Sequence, residues 1–122
     1  MMNYESTATI ESRAAPGVRF TVARMSLGRR IELTRRIGEL ARKAEFLAAG
    51  EEMRERAEAA TLSAEIDRLY LDWGLVGLEG LEIDGQAATT ASLVSAGPEP
   101  LCREILAAIK QECGLTEEER KN

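Results

Sequence analysis

The stretch LTRRIGELARKAEFLAAG, residues 33–50, carries the clearest structural signal in the chain. Its apolar residues fall within an arc of about 120° at 100° per residue, which predicts an amphipathic helix. They are Leu33, Ile37, Leu40, Ala41, Ala44, Leu47 and Ala48. The basic residues Arg35, Arg36, Arg42 and Lys43 fall on the opposite side. Because Ser26 is a suitable N-cap and Gly50 a natural stop, we predict a helix over about residues 26–49.

The following segment, about residues 51–73, is also predicted to be helical, but it has two apolar faces. One face is formed by Met53, Ala57, Ala60, Ala64 and Leu71, and the other by Leu62, Ile66, Leu69 and Trp73. A helix that is apolar on opposite sides is usually sandwiched between other elements. We therefore expect both faces to be covered.

Two β-prone runs precede these helices, at residues 7–13 and 18–24, with a Pro16-Gly17 turn between them. In the second run, apolar Val18, Phe20 and Val22 occupy every other position. This alternation is typical of a half-buried strand, and a Pro-Gly pair favours a turn. The sequence therefore predicts an N-terminal β-hairpin over about residues 7–24.

After Trp73 the pattern is broken by glycines, at Gly74, Gly77 and Gly80. Residues 81–83 and 86–88 flank an Asp-Gly pair, which predicts a second, short hairpin with a tight turn. Thr89 or Thr90 then begins a brief helical turn that ends near Gly97.

A last helix is predicted over about residues 98–113, with prolines in its first turn and Gly114 at its end. The remaining tail, residues 115–122, has the form of a capping box but is too short for a stable helix, so we expect it to fray. The elements together predict a single domain over residues 1–122, mainly α within the α+β class. It is a small helical domain with an N-terminal β-hairpin and a short second hairpin.

The residue types present argue against catalysis and metal binding. The chain has no histidine, which removes the commonest general acid/base near neutral pH and the commonest metal ligand. Cys102 and Cys113 lie on one predicted helix about 16 Å apart, whereas a disulfide needs Cα atoms within about 7 Å. Neither a phosphate-binding glycine loop nor metal-ligand spacing is present. We expect a protein without enzymatic activity, cofactor or metal.

Hydropathy and cysteine usage predict the cellular compartment. No hydrophobic run approaches the roughly 20 residues of a membrane span. The N-terminus lacks the basic start and apolar block of a signal peptide, and two unpaired thiols suit a reducing compartment. We expect a soluble, cytoplasmic protein that does not bind membranes.

Charge is unevenly distributed along the chain. Residues 1–43 hold nine Lys/Arg against four Glu, and residues 44–122 hold seven Lys/Arg against seventeen Asp/Glu. Such a layout either orients a partner or lets the two halves complement each other within one fold. In the basic helix, Glu32 and Glu39 precede Arg36 and Lys43 by four residues and partly neutralise them. With no interleaved aromatic residue, this favours a solvated helix face over nucleic-acid binding, and an acidic protein partner is a further alternative.

The run WGLVGLEGL, residues 73–81, alternates glycines with large apolar residues. It could form either a close-packed buried corner or an exposed apolar docking patch. The docking alternative makes Trp73, Leu75, Val76 and Leu78 candidate partner-binding residues.

Two stretches resemble a known family. GVRFTVARMSLGRRIELTRRI, residues 17–37, resembles the strand-then-helix opening of phage and prophage tail assembly chaperone-like proteins. The run from YLDWGLVGLEGLEIDG through LCREILAAI, residues 70–109, with the closing GLTEEERKN, is similar to their second half. The resemblance implies a protein of the bacterial host cytoplasm that keeps a long, aggregation-prone tape-measure protein soluble during tail assembly. It implies no catalytic residues.

On this hypothesis, apolar surface around Trp73, Leu75, Val76 and Leu78 shields the client, and Arg35, Arg36, Arg42 and Lys43 help to orient it. Two other classes stay open. A small DNA-binding regulator would use the Arg-rich helix and bind DNA in a strongly salt-dependent way. A structural tail or head-completion protein would self-associate and remain in the particle.

Overall fold

The computed structural model describes residues 1–114 and has an α+β fold that is mainly helical. The helices are α1 (Leu27–Ala48), α2 (Met53–Gly74), α3 (Thr90–Ala96) and α4 (Glu99–Glu112), and the strands are β1 (Thr7–Glu11), β2 (Arg19–Ala23), β3 (Leu75–Glu79), β4 (Glu82–Ile83) and β5 (Gln86–Ala87). The predicted fold class is confirmed, and the three main helices lie within two residues of their predicted bounds. The tail predicted to fray, residues 115–122, lies outside the described residues.

The chain divides into two compact units. The sheet unit comprises Met1–Met25 and the chain from Tyr70 onward, and the helical unit comprises Ser26–Leu69. The sheet unit contains most of the buried apolar residues of the described chain, including Phe20, Leu101 and Ile105 at 0% exposure. Only Leu33, Ala44 and Ala59 are buried in the helical unit.

The N-terminal hairpin forms as predicted. Strands β1 and β2 pair antiparallel from Thr7 opposite Ala23 to Glu11 opposite Arg19. Phe20 and Val22 are fully buried, as the alternating pattern requires. Gly17, in the turn between the strands, has φ of +91°, a conformation that glycine adopts without steric cost.

The third strand, β3, was not predicted from the sequence. It pairs antiparallel with β2 and completes a sheet of order β1-β2-β3. Leu75 lies opposite Val22 and Leu78 opposite Phe20, with a register shift between them that leaves Val76 as an extra residue. Residues three apart on a regular strand point to opposite faces, and this bulge brings Leu75 and Leu78 onto one face.

The remaining elements of the sheet unit follow the predictions. Strands β4 and β5 form the short second hairpin, and Asp84 and Gly85 in its turn both have positive φ. Thr89 caps α3 through a reciprocal capping box with Ser92. Helix α4 lies on β2 and buries one apolar face that includes Leu101, Ile105 and Ile109.

The turn after β1 is tied to α4 by one carboxylate. Ser12 Oγ donates to Glu104 Oε1 at 2.5 Å, and the Arg13 backbone N–H donates to Glu104 Oε2 at 2.7 Å. Ser12 Oγ in turn accepts from the Ala15 backbone N–H at 2.8 Å. Desolvation raises the pKa of Glu104, but the bonds from Ser12 and the backbone at 13–14, with the charge of Arg13, outweigh it and lower the pKa.

Candidate functional site

The helical unit is built on two rows of protected residues with the same spacing. In both α1 and α2, one row of buried and half-buried apolar residues has members that are separated alternately by three and four positions. We call these rows the seam, which consists of Leu33, Ile37, Leu40, Ala44 and Leu47 in α1 and Ala59, Leu62, Ile66 and Leu69 in α2. Alternating steps of three and four are the spacing of a helix-pairing stripe.

The short connection between α1 and α2 indicates how the two seam rows are arranged. Only residues 49–52 connect α1 to α2, and both seam rows lie in one compact unit. Connections of two to five residues are typical of antiparallel helix pairs. We infer that α1 packs along α2 through the seam and use the name helical hairpin for residues 26–69.

Charges along one border of the seam are complementary. Arg29, Arg36 and Lys43 line this border on α1, and Glu58 and Glu65 line the same border on α2. In an antiparallel helix pair these borders lie side by side, where opposite charges attract. The hairpin as a whole holds nine Lys/Arg and nine Asp/Glu. Its charges therefore balance within the unit, in line with the interpretation that basic and acidic segments complement each other.

The opposite border of α1 is apolar or small and is largely uncovered. We call it the outer row, and it lies about 110° around the helix from the seam. It consists of Leu27, Ile31, Thr34, Gly38, Ala41 and Ala48. Leu27 is 78% exposed and Ile31 is 51% exposed. At Gly38, apart from its chain neighbours and the adjacent backbone of α1, no heavy atom lies within 4 Å of the position that a Cβ would take. Two charged residues share this face: Glu45 continues the spacing of the row, and Arg30 lies at the same angle around α1 as Ala48.

Further large apolar side chains are exposed where the hairpin turns. Phe46, near the end of α1, is 76% exposed, and Met53, at the start of α2, is 86% exposed. Ala57, Ala60 and Ala64 are exposed as well. The expectation that both apolar faces of α2 are covered is therefore wrong over this segment, because only the seam face is protected.

The basic residues predicted to contact a partner occupy two different positions on α1. Arg36 forms an ion pair with Glu32 at 2.9 Å, as its spacing predicts. Within the described residues, Lys43 does not pair with Glu39, and neither Arg35 nor Arg42 forms an ion pair. Arg35 and Arg42 lie beside the outer row at roughly 180° from the seam, whereas Arg36 and Lys43 lie on the seam's charged border.

The predicted docking patch at residues 73–78 is mostly covered. Leu75 is 8% exposed because it joins the buried face of the sheet, and Trp73 and Leu78 are half-buried. Val76, the bulged residue, is 54% exposed. Leu75 therefore lacks the exposure that the docking alternative requires, and Val76 alone among the four is a large apolar residue that is exposed.

The outer row was missed from the sequence although its signal is present there. Its members repeat the three-and-four spacing of the seam, displaced around the helix. Thr34 and Gly38 break the run of large apolar residues, so the row does not stand out by hydropathy. The absence of charge at these six positions, in a helix that is rich in charged residues, is the signal that identifies it.

Cysteines, potential metal ligands and long apolar helices were compared across the described part of the chain. Cys102 in α4 and Cys113 at its end do not form a disulfide, and Cys113 is buried. Among residues 1–114 no cluster of three or more potential metal ligands is found. None of the helices in this range is both long and apolar enough to cross a bilayer.

Comparison of the chain with protein-family models finds no matching family, and comparisons with curated proteins and with solved structures find no match.

Proposed function

We propose that this protein binds apolar helical segments of another protein through the helical hairpin. The proposed role is that of a phage tail assembly chaperone, which keeps a tape-measure-type protein soluble during tail morphogenesis in the host cytoplasm. The observation that carries the proposal is the exposure of Leu27 and Ile31 in the outer row of α1. Contiguous exposed apolar surface is typical of binding sites for proteins.

The energetics of the outer row suit reversible binding. Fully burying a Leu or Ile side chain contributes about 1.5–3 kcal/mol. Leu27 and Ile31 supply at most two such contributions and the small residues of the row add less, while the entropic cost of association offsets part of the sum. A chaperone requires this balance, because it must hold its client and later release it.

The hairpin also has the electrostatic character that such a role requires. Its equal numbers of acidic and basic residues give it no net charge, while the chain outside it accounts for the net charge of −5. A unit without net charge does not repel clients of either sign at long range, and the acidic remainder favours solubility.

The first test is co-expression with a tape-measure-type protein, scored by client solubility and by co-elution in size-exclusion chromatography. The wild-type protein is expected to keep the client soluble and to elute with it. Ile31→Glu is expected to abolish co-elution because it places a charge in the outer row. Val76→Glu is a matched control, since Val76 is equally exposed but lies in β3.

The outcomes separate the alternatives. If Val76→Glu rather than Ile31→Glu abolishes co-elution, the site is the segment around Trp73–Leu78 instead of the hairpin. An insoluble client, with this protein eluting alone, contradicts the chaperone role. DNA binding that weakens steeply with salt would then identify the regulator alternative.

A further inference from the structure

We propose that the segment held by the hairpin is an amphipathic α-helix whose apolar stripe is bordered by acidic residues, and that it lies along the outer row of α1 across Gly38. This inference rests on the proposed function and specifies the class of partner that the same surface takes.

The shape of the outer row fits a helix. Its residues span α1, which is 22 residues long, at the spacing that a partner helix presents in return. Large Leu27 and Ile31 lie at one end, and small Thr34, Gly38 and Ala41 lie in the middle. Because nothing lies near the Cβ position of Gly38, a partner backbone can approach closely there. A helix with a matching apolar stripe fills this surface better than an extended peptide does.

The basic residues beside the outer row favour a partner that is negatively charged along its border. Arg35 and Arg42 follow its outer border, and neither forms an ion pair within residues 1–114. In the inferred antiparallel hairpin, Arg56 of α2 falls on the same side, and its Nε donates to the Gly50 carbonyl oxygen. Acidic residues flanking the partner's apolar stripe would pair with these guanidinium groups, which speeds association and fixes orientation.

The same charges argue against two other occupants. In a second copy of this chain, Arg35 and Arg42 would border the approaching α1, and Arg54 and Arg56 would border the exposed alanines of α2, so that arginines would face arginines. A nucleic acid would leave Leu27 and Ile31 against phosphates, which gain nothing from apolar contact. The acidic amphipathic helix is the occupant that satisfies both the apolar row and its border.

The test uses two labelled synthetic peptides as long as α1, with leucines at the spacing of the outer row. One has glutamates bordering the stripe, and the other has lysines. Fluorescence anisotropy is expected to give the acidic peptide a dissociation constant about tenfold lower, as two or three partly exposed charge pairs would produce. The difference is expected to shrink at high salt. The double variant R35E/R42E is expected to reverse the preference.

Gly38→Leu separates docking from folding. Leucine favours helix more than glycine does and meets open space at this position, so helicity by circular dichroism is expected to be kept or raised. Binding of the acidic peptide is nevertheless expected to weaken at least about tenfold, because the added side chain blocks close approach. Unchanged binding would place the partner elsewhere on the hairpin and overturn the inference.

The remaining outcomes distinguish this inference from the proposed function. Equal affinity for both peptides overturns the assigned charge of the partner. Binding of neither peptide while the tape-measure-type client co-elutes overturns the helix assignment but leaves the chaperone role in place. Failure of both peptides and client overturns both. A dimer in light scattering that Ile31→Glu converts to monomer would identify a second copy as the occupant.

Discussion

Glu104 is a partly buried carboxylate that joins two elements of the sheet unit. Its carboxylate accepts hydrogen bonds from Ser12 Oγ and from the Arg13 backbone N–H, so it joins α4 to the turn after β1. Ser12 is buried. Because hydrogen bonds to a charged group are stronger than those to a neutral one, this carboxylate fixes a turn that has few apolar contacts of its own.

Glu104→Gln is expected to destabilise the protein by about 1–2 kcal/mol. An amide oxygen is a weaker acceptor than a carboxylate, and the amide NH₂ group would face one of the two donors, Ser12 Oγ or the Arg13 backbone N–H, without forming a hydrogen bond. Urea unfolding measures this cost. Glu99→Gln, on the same helix, is the control. Its 3.5 Å ion pair with Arg103 is exposed, so its loss is expected to change stability by less than about 0.5 kcal/mol. Equal effects of the two substitutions would contradict the role given to Glu104.

The same carboxylate predicts a pH dependence. The pKa of Glu104 is lowered in the folded protein from an ordinary value of 4.5. Its contribution is therefore fully present above pH 4.5 and is lost as the pH falls through the folded pKa. In Glu104→Gln, the loss of stability below pH 4.5 is expected to be smaller than in the wild type. Parallel pH profiles would show that Glu104 does not titrate in this way.

At the scale of elements, the helices were predictable and β3 was not. Helix bounds follow from local chemistry, such as the Ser26 cap, whose side chain accepts from the Arg29 backbone N–H. Leu75, Val76 and Leu78 do not occupy every other position, because the bulge at Val76 interrupts the regular strand. That bulge depends on pairing with β2, a contact distant in sequence. The exposure of the outer row likewise depends on which face of α1 is covered by other elements, and the periodicity of the sequence does not show this.

The seam predicts a contrast between two leucines of the same helix. Leu33 is 5% exposed and Leu27 is 78% exposed. Leu33→Ala is expected to destabilise the hairpin by about 2–3 kcal/mol through lost burial and a residual cavity. Leu27→Ala is expected to change stability by less than about 0.5 kcal/mol, because its side chain is already in solvent. Thermal unfolding followed by far-UV circular dichroism measures both. Similar costs would mean that the seam is not the packing face.

Across the whole molecule, apolar burial is distributed unequally. Thirteen of the sixteen buried apolar residues in the described chain belong to the sheet unit, and three belong to the hairpin. Local opening is easiest where few apolar contacts must be broken. The surface proposed to bind a partner therefore belongs to the unit with the smaller core. Partner binding is expected to stabilise the hairpin against local opening more than it stabilises the sheet unit.

Hydrogen exchange tests this relation between stability and binding. In the free protein, backbone amides of α1 and of α2 up to Leu69 are expected to exchange faster than those of β2 and α4, because opening the hairpin exposes fewer buried side chains. Addition of the acidic amphipathic peptide is expected to slow exchange in the hairpin far more than in the sheet unit, since a ligand stabilises the state that it binds. Mass spectrometry of peptic fragments measures both.

If the hairpin of the free protein exchanged as slowly as β2, its small core would not limit its stability. If the peptide slowed exchange mainly in β3, the partner would bind the segment around Val76.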